Sequence, residues 1–145
     1  MAVNRASTIE PAYDLEPTIG YKPATARLIG PGLVKETVNT KESITFKAPT
    51  GNAVEWTIQT GVADTYSLTF RYTNQGLQPL TALFTLALAD GTILKTEAVE
   101  LAPSKPGKWN YPTTSTGGMI NAGSYRVKLA GTAAAGLSVS GLDVQ

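Results

Sequence analysis

VEWTIQTGVADTYSLTFRYTN, residues 54–74, is two strands written in alternation with a glycine-containing break between them. Val54, Trp56 and Ile58 fall on one side of an extended chain and Glu55, Thr57 and Gln59 on the other, because successive side chains of a strand point to opposite faces. Past Gly61 the split repeats, with Tyr66, Leu68, Phe70 and Tyr72 opposing Ser67, Thr69, Arg71 and Thr73. A period of two gives each segment one face for a core and one for its surroundings, which is the pattern of a half-buried strand and not of a helix.

The same pattern extends outward from this stretch. Tyr125, Val127 and Leu129 oppose Ser124, Arg126 and Lys128, and Phe84, Leu86 and Leu88 form another apolar row that ends at Asp90-Gly91. Glycine there accepts the positive φ of a tight hairpin, so a strand over 93–100 is expected to return antiparallel. Turn signals recur at Gly30-Pro31-Gly32, at 49–52, at Asn74-Gln75-Gly76, at 103–107, at Gly117-Gly118, at Asn121-Ala122-Gly123 and at Gly131. Short strands punctuated at such intervals predict an all-β antiparallel sandwich with almost no helix. The alanine-rich run 132–136 is too short for a helix and is closed by Gly136. The many threonines suit a pleated surface better than a helical one.

A chain of 145 residues that is 42% apolar is one domain with enough material for a core. Lys and Arg number 12 against 11 Asp and Glu, and the basic residues are scattered, so no footprint for nucleic acid is present. The sequence has no cysteine, which removes disulfide frameworks and thiol chemistry, and no histidine, which removes the commonest general base and transition-metal ligand. The opening MAVNRASTIE lacks the apolar core of a signal peptide, and no apolar run approaches the ~20 residues needed to cross a bilayer, so no membrane partner is expected. Residues 1–20, with Pro11, Pro17 and no sustained period, read as a linker or lead-in arm, and residues 21–145 as the β-sandwich module.

Five anchors in order carry a resemblance: DTYSLTFRYTN, LADG, PGKW, INAGSYRVKL and the closing GLSVSGLDVQ. Residues 21–145 resemble the galactose-binding-like jelly rolls of family 6 and family 35 carbohydrate-binding modules, and are similar to the C-terminal modules of bacterial family 2 glycoside hydrolases. The resemblance implies a non-catalytic accessory module of a larger enzyme, exported to the periplasm or cell exterior. The implied partners are a carbohydrate, a galactoside-containing glycan by association, and the catalytic domains of the same parent chain.

Two departures from the family pattern alter what the resemblance implies. The family opens with a tyrosine and two glutamates that help hold a structural calcium, whereas here the stretch is YKPATARL, with Lys22 and Ala24 at the glutamate positions. Calcium takes about six to eight oxygen ligands and a lysine offers none, so no metal or other cofactor is expected. Asp143 is left as a single carboxylate on the closing strand. The family's sugar site uses a second aromatic after the tryptophan and an asparagine near the last strand. Pro112 and Ser138 stand at those places here, which leaves Tyr111 as the replacement stacking platform. The candidate ligand-binding set is therefore Tyr111, Asn110, Ser138, Tyr72 and Asn74. Each has a plainer reading: Tyr72 shares its parity with Leu68 and Phe70 and suits a core, and Asn74 with Gln75 suits a turn. Trp56 and Trp109 read as core, and Arg71 and Arg126 as solvated strand-face residues or rim salt bridges rather than anion clamps.

A catalytic role finds no support. None of the 11 carboxylates falls in an acid/base or nucleophile motif, and a triad or zinc centre lacks its histidine. Gly117-Gly118 opens no strand-to-helix phosphate loop. Two functions from different classes stay open: a sugar-binding module, and a degenerate sandwich that packs on neighbouring domains without binding sugar.

Overall fold

The computed structural model describes residues 18–145. Eleven strands account for almost all its regular structure: β1 (Ile19–Tyr21), β2 (Arg27–Ile29), β3 (Leu33–Val38), β4 (Lys41–Phe46), β5 (Ala53–Thr60), β6 (Ser67–Asn74), β7 (Leu80–Leu88), β8 (Ile93–Leu101), β9 (Thr113–Ser115), β10 (Gly123–Ala133) and β11 (Leu137–Val144). The sole helical element among the described residues is a 3-10 turn, Pro23–Thr25. Two antiparallel sheets result. The first runs β3-β4-β11-β6-β9 with β1 added to β11, and the second runs β2-β5-β10-β7-β8.

The apolar rows read from the sequence meet between the sheets. Val54, Trp56 and Ile58 of β5, Val127 of β10, and Phe84 and Leu86 of β7 are fully buried, facing Leu68, Phe70 and Tyr72 of β6. Trp56, Phe70 and Phe84 form an aromatic chain, with ring centroids 6.5 and 6.0 Å apart. Asp90 turns the β7–β8 hairpin as expected: its carboxylate accepts the Thr92 N–H at 2.9 Å, and Gly91 takes φ 96°.

Two features depart from the sequence reading. The strand pairing starts at Ile19, where β1 pairs Ile19 with Val144 and Gly20 with Asp143, so Ile19 and Gly20 belong to the sheet and not to the lead-in arm. Residues 1–17 of that expected arm lie outside the described residues. The β3–β4 hairpin turns on Asn39 and Thr40, both at positive φ (48° and 68°). Without a glycine, that turn carries no strong sequence signal.

The open side of the sandwich is closed by polar contacts between its edge strands. Lys95 of β8 donates from Nζ to Ser115 O at 2.8 Å and to Thr114 Oγ1 at 3.1 Å, and Thr114 donates to Glu97 Oε1 at 2.6 Å. That bond, helped by the nearby Lys95 charge, lowers the Glu97 carboxyl below its ordinary range. β11 and β1 lie together at the end where β6 begins, since Ser67 and Gln145 exchange both backbone hydrogen bonds.

Candidate functional site

The sequence-predicted ligand residues gather around one end of the first sheet, but most are used inside the fold. Ser138 is 4% exposed, and its hydroxyl lies 2.8 Å from that of Thr45 on β4. Asn74 is 1% exposed: its amide donates to Gln78 O at 2.9 Å and Leu101 O at 3.1 Å, and its oxygen accepts the Gly76 N–H at 3.0 Å. Every polar group of that side chain is thereby committed, two bonds to the turn that follows β6 and one to the end of β8. Tyr72 is a core residue whose hydroxyl donates to Ala102 O at 3.0 Å and accepts from Asn110 Nδ2 at 3.0 Å. Asn110, half-buried, thus serves the loop 102–112 that covers Tyr72.

Tyr111 has a different placement. Asn110 pairs with Tyr72 in a two-bond bridge, and Pro112 O accepts the Phe70 N–H at 3.1 Å, so Tyr111 stands opposite Arg71 on the outer side of the first sheet. It is 57% exposed and is the large aromatic that this face presents to solvent. Trp109, two residues earlier, is half-buried, and its indole N–H is buried with no acceptor among the described residues.

The outer side of the second sheet was not singled out by the sequence reading, and it carries a groove of mixed chemistry. Registers fix its layout. Arg27 pairs with Glu55, Glu55 with Lys128, Lys128 with Thr85 and Thr85 with Thr96, so one row of charged and hydroxyl groups crosses all five strands. Beside it runs the row Ala53, Ala130, Leu83 and Ala98, which is apolar. On the other side Arg126 pairs with Thr57 and Ala87. Glu55, Thr85, Thr96, Arg126 and Lys128 line an open groove of about 350 Å3 whose lining includes Leu83, Ala87 and Ala130. Glu55 is held by Arg27 Nη1 at 3.1 Å, while Arg126 and Lys128 are half-buried by their stems. The signal for this groove was present in the alternating outer residues Glu55, Arg126 and Lys128. Only cross-strand register, which one sequence does not reveal, shows that they line up.

A second opening, of about 50 Å3, leads between the sheets past Val99 and Pro112 to Phe70, Leu101 and Leu129, with Glu97, Thr113 and Thr114 also lining it. It is far smaller than the roughly 300–1,000 Å3 of a small-molecule site.

The residues present do not fit the calcium that the family resemblance implies. Lys22 O accepts the Trp56 indole N–H at 3.0 Å, Lys22 lines a shallow groove with Lys41, Glu42 and Arg71, and Ala24 has no donor atom. Asp143 Oδ2 lies 4.0 Å from Arg71 Nη1, and no three acidic side chains come together among the described residues.

No family model and no curated protein matches the sequence. Solved structures do match. A family 35 carbohydrate-binding module from Clostridium thermocellum superposes with a TM-score of 0.74 at 20% identity, over 89% of this chain and 98% of that one. The C-terminal family 6 carbohydrate-binding module of a marine laminarinase from Zobellia galactanivorans gives 0.63 at 15% identity, over 89% and 99%. An isomalto-dextranase of Arthrobacter globiformis, solved with panose, gives 0.71 at 16% identity, with this chain spanning 88% of itself and 23% of that larger chain. The fold is therefore the jelly roll of family 35 and family 6 carbohydrate-binding modules. At these identities the likeness defines the architecture and leaves the ligand to the chemistry of this chain's own surface.

Proposed function

We propose that this protein is a non-catalytic carbohydrate-binding module and that its glycan lies across the outer side of the second sheet. The observation that carries this reading is the groove's transverse order, a row of charge and hydroxyl beside a row of small apolar side chains. Sugar rings have apolar C–H faces and equatorial hydroxyls, and need both kinds of wall together. Strands in a sheet are about 4.8 Å apart, close to the length of one sugar ring, so a chain laid perpendicular to the strands meets a similar set of groups ring after ring. Tyr111 lies on the other side of the sandwich and offers a separate platform for a single ring.

In this reading the module belongs to an exported glycoside hydrolase, with a family 2 enzyme acting on galactosides as its context. It holds the catalytic domains on polysaccharide by tethering. Ile19, Val144 and Gln145 lie together at one end of the sandwich.

A second reading, a sandwich that packs on neighbouring domains without binding sugar, is favoured by one observation: Ser138, Asn74 and Tyr72 are consumed by internal hydrogen bonds. A glycan array probed with the whole chain separates the two. Binding that Arg126→Ala/Lys128→Ala abolishes and Tyr111→Ala leaves intact supports the groove. Binding lost with Tyr111→Ala alone moves the site to the first sheet, and silence on plant and microbial glycans supports the structural role.

A further inference from the structure

The misfit to calcium has a specific counterpart in the seam where β6, β11 and β1 meet. Arg71 of β6 is paired with Gly141 of β11, and its guanidinium does not project into solvent. Nε donates to Ser140 Oγ at 2.7 Å, Nη2 to Ser140 O at 3.4 Å, and Nη1 lies 4.0 Å from Asp143 Oδ2. The side chain is 26% exposed.

Two glycines clear the space for this arrangement. A Cβ on Gly141 would meet Arg71 Nη2 at 2.8 Å and Tyr21 O at 3.0 Å, and a Cβ on Gly20 would meet Asp143 Oδ1 at 3.2 Å. The guanidinium therefore lies over Gly141 toward β1, and the carboxylate leans over Gly20, which is itself in β1. The register of β11 also shifts between Val139 and Gly141, and Arg71 binds Ser140, the residue between them. Beside the seam, Lys22 and Lys41 add two positive charges against Glu42. A divalent ion brought here would meet three cationic side chains, and like charges repel.

We propose that Arg71 is the resident cation of this module. It ties β6 to the bulge of β11 through Ser140 and faces Asp143, the residue that pairs with Gly20 of the terminal strand β1, in the place a bound divalent ion would take in a calcium-holding jelly roll, and calcium neither binds at this seam nor stabilises it. A guanidinium suits the task because its planar fork presents several donors from one fixed charge. This inference is independent of where, or whether, a glycan binds.

The test uses the whole chain, with calcium chloride as the probe ion. Thermal unfolding is expected at the same temperature in excess chelator and in millimolar calcium. Arg71→Met, which keeps the stem and removes the charge, is expected to lower the midpoint by about 5 °C, the shift of roughly a one-to-two kcal/mol interaction in a domain of this size. It is also expected to speed amide exchange in β1 at least tenfold while Ile58 and Phe84 stay protected. Arg71→Lys should recover part of the loss, and Ser140→Ala, which removes the acceptor of Arg71 Nε, should reproduce part of the faster β1 exchange with the charge retained. A midpoint that calcium raises in the unaltered chain overturns the proposal, as does an Arg71→Met variant with unchanged β1 exchange. If Arg71→Met does not fold, Ser140→Ala and the calcium titration of the unaltered chain decide alone.

Discussion

The two outer faces of the sandwich are built from the same kind of residue and end in opposite states. On the first sheet the outward Thr45, Ser138 and Ser140 are all buried, bonded to one another or to Arg71, and overlain by the 3-10 turn at Pro23–Thr25. On the second sheet Thr96, Arg126 and Lys128 keep their polar ends at an open groove. Hydroxyls and amides at family-like positions are therefore no guide to a site until their partners are known. A buried polar group must be satisfied, and the fold satisfies it first.

The difference can be broken most strongly at Asn74. Asn74→Ala removes the partners of Gln78 O, Leu101 O and the Gly76 N–H together, and is expected to cost about 2–4 kcal/mol in urea unfolding. A variant of unchanged stability would mean that this asparagine is free to serve a ligand. On the open face the effect should fall on binding instead. Arg126→Ala/Lys128→Ala is expected to weaken a captured glycan tenfold or more, about 1.4 kcal/mol, in isothermal titration, with little change in the unfolding midpoint.

Smaller effects sharpen the contrast. Ser138→Val or Thr45→Val alone should each cost about 1–2 kcal/mol by stranding the other hydroxyl, and the double variant should cost less than their sum. Additive costs in that double-mutant cycle would place the two hydroxyls in contact with something other than each other. The smallest effect concerns the polar seam between β8 and β9. Glu97 is held below its ordinary pKa, first by the Thr114 hydroxyl and, against some desolvation, by Lys95. A depressed carboxyl contributes stability that is present above its unfolded pKa and lost as pH falls through the folded one. Glu97→Gln should therefore flatten the acid limb of the stability profile. Its side chain is 45% exposed, so the change should stay under about 1 kcal/mol, and an unaltered limb would show that the seam carries no net electrostatic weight.

Periodicity was a sufficient guide to the sandwich because each strand declares its inner face independently. Trp56, Phe70, Phe84 and Val127 needed only their own neighbours to be placed in the core, and they are there. The hairpin at Asn39-Thr40 escaped notice because no glycine marks it and the β-branched Thr40 rarely takes a positive φ. The site was legible only in part. The proline- and threonine-rich surroundings of Tyr111 left its placement open, and the fold puts it 57% exposed on the outer side of the first sheet. Ser138 and Asn74 read as ligand residues by position, but their partners, Thr45 and Leu101, are 93 and 27 residues away. The row from Arg27 to Thr96 is likewise assembled from five strands, and no local pattern announces it.

The central claim is that the second sheet's outer side is the sugar-binding face. The most direct measurement is backbone chemical-shift mapping of the whole chain titrated with an oligosaccharide that the array identifies. Shifts concentrated on Glu55, Thr85, Thr96, Arg126 and Lys128, with Asn110 and Tyr111 unmoved, are the predicted result. Shifts confined to Tyr111 and the loop from 102 to 112, with the groove silent, would contradict it.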